Sequence, residues 1–128
     1  KFPILPGEDG ELVNPGMYGK ALAMYLQEKL TARGYRVPVY FCEDWGWWVE
    51  IASADFAFGV CIYATAESAR VGRYAVTDGA LGAKQWSWRK FRLVDRSETI
   101  EKLYDDLIAV FEQDPDVVFE GLRDEAPF

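Results

Sequence analysis

Residues 35–95 alternate β-branched and aromatic runs with short polar or glycine-containing breaks, and a segment with apolar residues at helical spacing brackets this stretch on each side. The breaks fall at Glu43-Asp44, at Ser53-Ala54-Asp55, at residues 66–71 and at residues 78–83. All are short enough for hairpins or slightly longer loops, so successive strands are expected to be neighbours running antiparallel. The pattern predicts strands near residues 35–42, 46–53, 56–65, 72–78 and 86–94, with Val117, Val118 and Phe119 as a short final strand.

The first flanking helix is expected to open at Asn14-Pro15, an N-cap residue followed by proline at the first helical position. Its stripe is Tyr18, Leu22, Tyr25, Leu26 and Leu30, and Gly34 supplies the stop. The second helix is expected to start at a capping-box-like pair, Asp95 and Glu98. Ile100, Leu103, Tyr104, Leu107, Ile108 and Phe111 form its stripe, and Asp114-Pro115 ends it. Each helix has one face to bury, and one sheet face can cover both. The expected fold is therefore α+β, a two-layer sandwich with a mostly antiparallel sheet of about five to six strands and two helices on one face.

With 128 residues, half of them hydrophobic, the chain can bury a core of its own, and residues 1–128 are expected to form a single domain. The longest apolar stretch, residues 56–66, is far shorter than the roughly 20 residues a membrane helix needs, and no signal-peptide h-region is present. Two cysteines, Cys42 and Cys61, outside any CxxC spacing, fit a reducing cytoplasm and free thiols. A single bridge stays open if they lie on adjacent strands.

The chain contains no histidine, which removes the commonest general base and the commonest ligand of catalytic metal sites. Ser-His and Cys-His catalysis are excluded, and no phosphate-cradling glycine loop occurs. No catalytic residue, cofactor or metal is assigned. Glu98, Glu101, Asp105, Asp106 and Glu112 line one face of the second helix without Ca²⁺-loop spacing, and they read as a solvated face or as a docking surface for a basic protein.

Charge is unevenly distributed. Residues 66–96 carry seven basic and three acidic side chains, a local +4, so the rest of the chain holds −11 of the total −7. Such a surface repels nucleic acid and anionic membrane and steers basic partners inward.

The most unusual segment is Glu43-Asp44-Trp45-Gly46-Trp47-Trp48, which places paired carboxylates beside three tryptophans at a strand junction. Read structurally, Gly46 marks a turn, the acids face solvent and alternate tryptophans pack under the helices. Read functionally, exposed indoles beside acids describe a sugar site. Strand alternation sets Trp45, Trp47, Val49 and Ile51 on one face and Trp48, Glu50 and Ala52 on the other, so Trp48 is the ring expected to be exposed. A second constellation, Lys84, Trp86, Trp88, Lys90 and Arg92, shares one face at strand period. It reads either as a single-stranded nucleic-acid platform or as a tryptophan pair whose cations bridge to the acidic helix, and the chain's negative charge favours the latter.

Asn14-Pro15-Gly16 opening a helix, Glu43-Asp44-Trp45-Gly46-Trp47 beginning a hairpin, and a late acidic helix together resemble small bacterial proteins of unknown function that carry an EDWGW motif. The resemblance runs over most of the chain and implies a stand-alone bacterial cytoplasmic domain, with no activity or cofactor attached.

The leading expectation is a non-enzymatic acidic protein-binding domain, immunity- or inhibitor-like against a basic protein, with Glu43, Asp44, Trp45, Trp48 and Glu50 as its binding residues. The alternative is a sugar-like ligand module or hydrolase using Glu43, Asp44 or Glu50 with a tryptophan platform. An open aromatic sheet face also suits a homodimer.

Overall fold

The structure, a computed structural model, describes residues 2–52, 58–78, 84–87, 92–95 and 97–121, with backbone alone at 84–87, 92–95 and 97–98. A short 3₁₀ turn at Glu8–Glu11 precedes α1 (Lys20–Ala32), followed by β1 (Tyr40–Cys42), β2 (Trp47–Ile51) and β3 (Phe58–Tyr63). Then come α2 (Ala66–Arg70), β4 (Ala75–Asp78), β5 (Lys84–Ser87), β6 (Arg92–Asp95) and α3 (Ser97–Gln113). The chain is α+β with antiparallel pairing throughout, but the strands divide into a four-stranded sheet, β1-β2-β3-β4, and a separate β5-β6 pair. Among the described residues the main sheet has four strands, not the five to six expected.

Register explains the core. Trp47 pairs with Ile62, Val49 with Val60 and Ile51 with Phe58, so these six share one face of the sheet, and all are buried. Leu22, Leu26 and Leu30 of α1 and Leu103, Leu107 and Phe111 of α3 join the same cluster. Of the predicted stripes, Leu22, Tyr25, Leu26, Leu30, Leu103, Leu107 and Phe111 are buried in this core, whereas Ile100, Tyr104 and Ile108 are half-buried outside it and Tyr18 precedes α1. Tyr104 of α3 locks onto β4: its hydroxyl donates to Asp78 Oδ1 at 2.8 Å, accepts from Asp78 N at 3.1 Å and lies 2.9 Å from Thr77 Oγ1. Tyr25 of α1 donates to Asp114 Oδ2 at 2.9 Å, tying α1 to the residue that follows α3.

α1 begins at Lys20, not at Asn14-Pro15, and its cap comes from far upstream. Glu8 is 1% exposed; its Oε2 accepts from Gly19 N at 2.9 Å and Lys20 N at 3.2 Å, while Oε1 accepts from Leu5 N at 3.0 Å. A carboxylate is the right group there, because the first amides of a helix are unpaired donors at the positive end of its dipole. Gly34 does mark the exit, at φ +98° just beyond the helix.

Three further segments differ from their sequence readings. Residues 66–71, read as a loop, contain α2, whose cap is reciprocal: Thr65 Oγ1 accepts from Ser68 N and Ser68 Oγ from Thr65 N. Residues 117–119 form no strand, although Val117 and Phe119 pack against the core. The strand read at 86–94 is two strands, and Asp95, read as a helix cap, closes β6 opposite Lys84.

Asp106, read as part of an open acidic face, is half-buried and paired. It accepts from Tyr35 Oη at 2.5 Å, Lys102 Nζ at 2.8 Å and Arg33 Nη1 at 3.2 Å, joining α3 to the end of α1. Burial opposes its ionisation, but the Lys102 ammonium and the Tyr35 hydroxyl outweigh that cost and hold the carboxyl below its usual range. Glu101, Asp105 and Glu112 remain exposed.

Cys42 and Cys61 are free. They lie on β1 and β3 with β2 between, and Cys42 pairs across to Trp47 on the core face while Cys61 pairs to Trp48 on the opposite one. Two strand spacings amount to about 9.6 Å, beyond the reach of a disulfide. Among the described residues no helix is long and apolar enough to cross a membrane.

Candidate functional site

The Glu43–Gly46 turn is a two-residue hairpin loop. Glu43 N donates to Gly46 O at 2.7 Å, Gly46 N returns to Glu43 O at 3.4 Å, and Asp44 and Trp45 form the tip. Gly46 is required here: its φ is +156°, and a Cβ would stand 2.2 Å from the Ile62 carbonyl oxygen. The tip is clasped from the N-terminal side. Asn14 Nδ2 donates to Asp44 O at 2.6 Å and Trp47 Nε1 to Met17 O at 2.8 Å. Gly19 fits against Trp47 Cδ1 and Ile62 Cγ2, each 3.0 Å from where its Cβ would be. The Asn14-Pro15-Gly16 segment and the Glu43-Asp44-Trp45-Gly46-Trp47 segment, far apart in sequence, therefore meet in space.

Alternation separates the tryptophans as expected. Trp47 is 2% exposed in the core beside Tyr40, with ring centroids 6.3 Å apart, whereas Trp48 is half-buried on the opposite face. There Trp48 sits between Phe41 on β1 and Cys61 on β3, and its indole lies across Gly59, where a Cβ would come within 2.9 Å of the ring. Trp48 Nε1 stands 3.5 Å from Glu50 Oε1. Trp45, assigned by period-two counting to the side of Trp47, instead packs against Tyr63, which shares the face of Trp48, with ring centroids 5.3 Å apart and planes tilted by 46°. Counting fails because Trp45 belongs to the turn and not to the strand.

Of the five candidate binding residues, Trp45, Trp48 and Glu50 lie on this face, Glu43 follows Phe41 in the alternation at its end, and Asp44 is exposed at the tip. Phe41, 38% exposed, and Tyr63 belong to the same surface; sequence reasoning missed both, although Phe41 stands two residues before Glu43 on a strand of period two. Burial pushes the Cys61 thiol and the Tyr63 hydroxyl up.

A groove of about 540 Å³ runs between α1 and β1, bounded by Lys20 and Gln27 on the helix and by Tyr40, Cys42 and Trp47 on the sheet. A second of about 310 Å³ continues along α1 past Met24 and Glu28. Neither is lined by Glu43, Asp44 or Glu50. Among the described residues no group of three or more Cys, Asp or Glu is placed to hold a metal ion.

The basic constellation does not lie on one strand. Lys84 pairs with Asp95 and Trp86 with Leu93, while Arg92 pairs with Ser87, one residue out of step. Trp88 and Lys90 lie outside the described residues.

Searches of protein-family models, of curated proteins and of solved structures find no match to this chain.

Proposed function

We propose that the chain is a non-enzymatic acidic domain that holds a basic protein partner, in the manner of an immunity or inhibitor protein. The observation that carries this reading is that Trp45, Trp48 and Glu50 share the face opposite the core-facing Trp47, Val49 and Ile51, with Glu43 at its end and Asp44 at the adjoining hairpin tip. Half-buried indoles are pre-organised anchors that lose little conformational freedom on binding, and carboxylates around them raise the on-rate of a basic partner and disfavour acidic ones. The net charge of −7 acts in the same direction at longer range. The proposal takes the sheet and its helices as a two-layer sandwich whose aromatic face is free for a partner, and places the domain in the bacterial cytoplasm with the proteins that carry the EDWGW motif.

An acid–base hydrolase built on Glu43, Asp44 or Glu50 finds less support, because no groove described encloses them. The test is affinity capture from lysate of the native host, comparing wild type with a Glu43→Gln/Asp44→Asn/Trp48→Ala variant checked for folding by thermal denaturation. Enrichment of one basic protein by the wild type and its loss with the folded variant is the expected result. Equal recovery by both, or recovery of an acidic partner, would count against the proposal.

A further inference from the structure

β1 is an edge strand, and its hydrogen bonds have a definite phase. Glu43 and Gly46 exchange bonds, and Glu50 N donates to Val39 O at 3.0 Å. In an antiparallel ladder bonded pairs alternate with non-bonded ones, so residues 39, 41 and 43 face β2 with their amide groups, and the N–H and C=O of Tyr40 and Cys42 point to the outer edge. Among the described residues no strand pairs with that edge. Immediately beside it lies the 540 Å³ groove between β1 and α1. On the other side of the pleat, Val39 and Phe41 are each 38% exposed.

We propose that this edge is a strand-addition site: an extended basic segment of a partner protein pairs with Tyr40 and Cys42, alternate side chains entering the groove and covering Val39 and Phe41. The inference deepens the partner-binding reading and rests on it. Pro38 has no N–H and interrupts the series at one end, while the Asp44-Trp45 tip ends it at the other, so the added strand is short, about three to four paired residues. The occupant is assigned by charge. Glu11, Glu28, Glu43 and Asp44 stand along the grooves and the hairpin end against two cations, Lys20, whose ammonium is held 2.6 Å from Glu11, and Lys29, whose ammonium lies over the Tyr25 ring. A second copy of the chain would bring another −7 to the same rim.

The probe is a capped peptide of alternating lysine and valine, titrated into the isotope-labelled full chain and followed by amide NMR. Downfield movement and exchange protection of the Tyr40 and Cys42 amides are expected, with binding at least about tenfold weaker when the peptide is N-methylated on its pairing edge. No shift at Tyr40 and Cys42 with millimolar peptide, or equal binding of the N-methylated or a glutamate–valine peptide, would overturn the proposal. So would movement of the same amides on raising protein concentration alone, which would name a second copy as the occupant. Cys42→Pro removes one outward donor and leaves the bonds of residues 41 and 43 in place. A captured partner held equally by Cys42→Pro and wild type would remove strand addition while leaving the partner-binding reading intact. Peptide shifts at Tyr40 and Cys42 with no partner captured would support the edge site and count against that reading.

Discussion

Removing the Glu8 carboxylate is expected to destabilise the fold more than any other change to a charged side chain. Glu8 is buried, and each of its oxygens is occupied: Leu5 N on one, Gly19 N and Lys20 N on the other. In Glu8→Ala the Gly19 amide, itself buried, loses its acceptor where water does not replace it, which costs about 1–3 kcal/mol. Loss of the anion at the start of α1 adds about 0.3–1 kcal/mol, while Leu5 and Lys20 are half-buried and recover part of their bonding from solvent. The sum is about 2–4 kcal/mol, or a melting temperature lower by roughly 10 °C for a chain of this length. Glu8→Gln keeps the volume and one acceptor oxygen, so about half that loss is expected. Urea unfolding at neutral pH, with midpoint and slope compared across the three proteins, measures it. A Glu8→Ala variant within about 0.5 kcal/mol of wild type would refute the assignment of Glu8 as the cap of α1.

Other consequences follow from the same contacts. Gly46→Ala is expected to cost at least about 2 kcal/mol in chemical denaturation, because its methyl would meet the Ile62 carbonyl oxygen. Tyr104→Phe is expected to cost about 1–2 kcal/mol through the lost bonds to Asp78 and Thr77, with the ring's packing unchanged. Because Asp106 has a depressed pKa, its contribution is present above the unfolded value of about 3.9 and is lost as pH falls through the lower folded value; Asp106→Asn should flatten the acid limb of the stability profile. Burial raises Tyr74 to about 12 and raises Tyr25 and Tyr35 as well, so their contribution is full below the unfolded value of about 10 and is lost as pH rises through the folded values; tyrosinate absorbance and unfolding should then rise together in alkali. A thiol reagent should label half-buried Cys42 before buried Cys61, and mass spectrometry without reductant should find both thiols free.

Local patterns in the sequence carried the parts of the fold that depend on local physics. Strand alternation separated Trp47 from Trp48, and most of each long helix's predicted stripe, Leu22, Tyr25, Leu26 and Leu30 on one and Leu103, Leu107 and Phe111 on the other, reaches the core. What eluded the sequence depends on distant partners. Asn14-Pro15 has the chemistry of a helix start, but the Asn14 side chain is committed to Asp44 O, and the cap is Glu8, whose role is visible only once the chain has folded back. α2 went unread because its reciprocal cap uses Ser68 where a glutamate or glutamine usually signals one. Residues 86–94 contain no glycine, proline or asparagine to mark the break between β5 and β6. At the candidate site the turn and its acids were legible, whereas the contribution of Phe41 and the contact of Trp45 with Tyr63 needed the register.

The most direct test of the partner-binding account is the salt dependence of association between the purified chain and the basic protein it captures, measured for wild type and Glu43→Gln/Asp44→Asn/Glu50→Gln. The account predicts a wild-type on-rate that falls steeply with ionic strength, a variant on-rate that is slower at low salt, and convergence of the two at high salt where charges are screened. An on-rate indifferent to salt, or identical for wild type and variant at low salt, would contradict it.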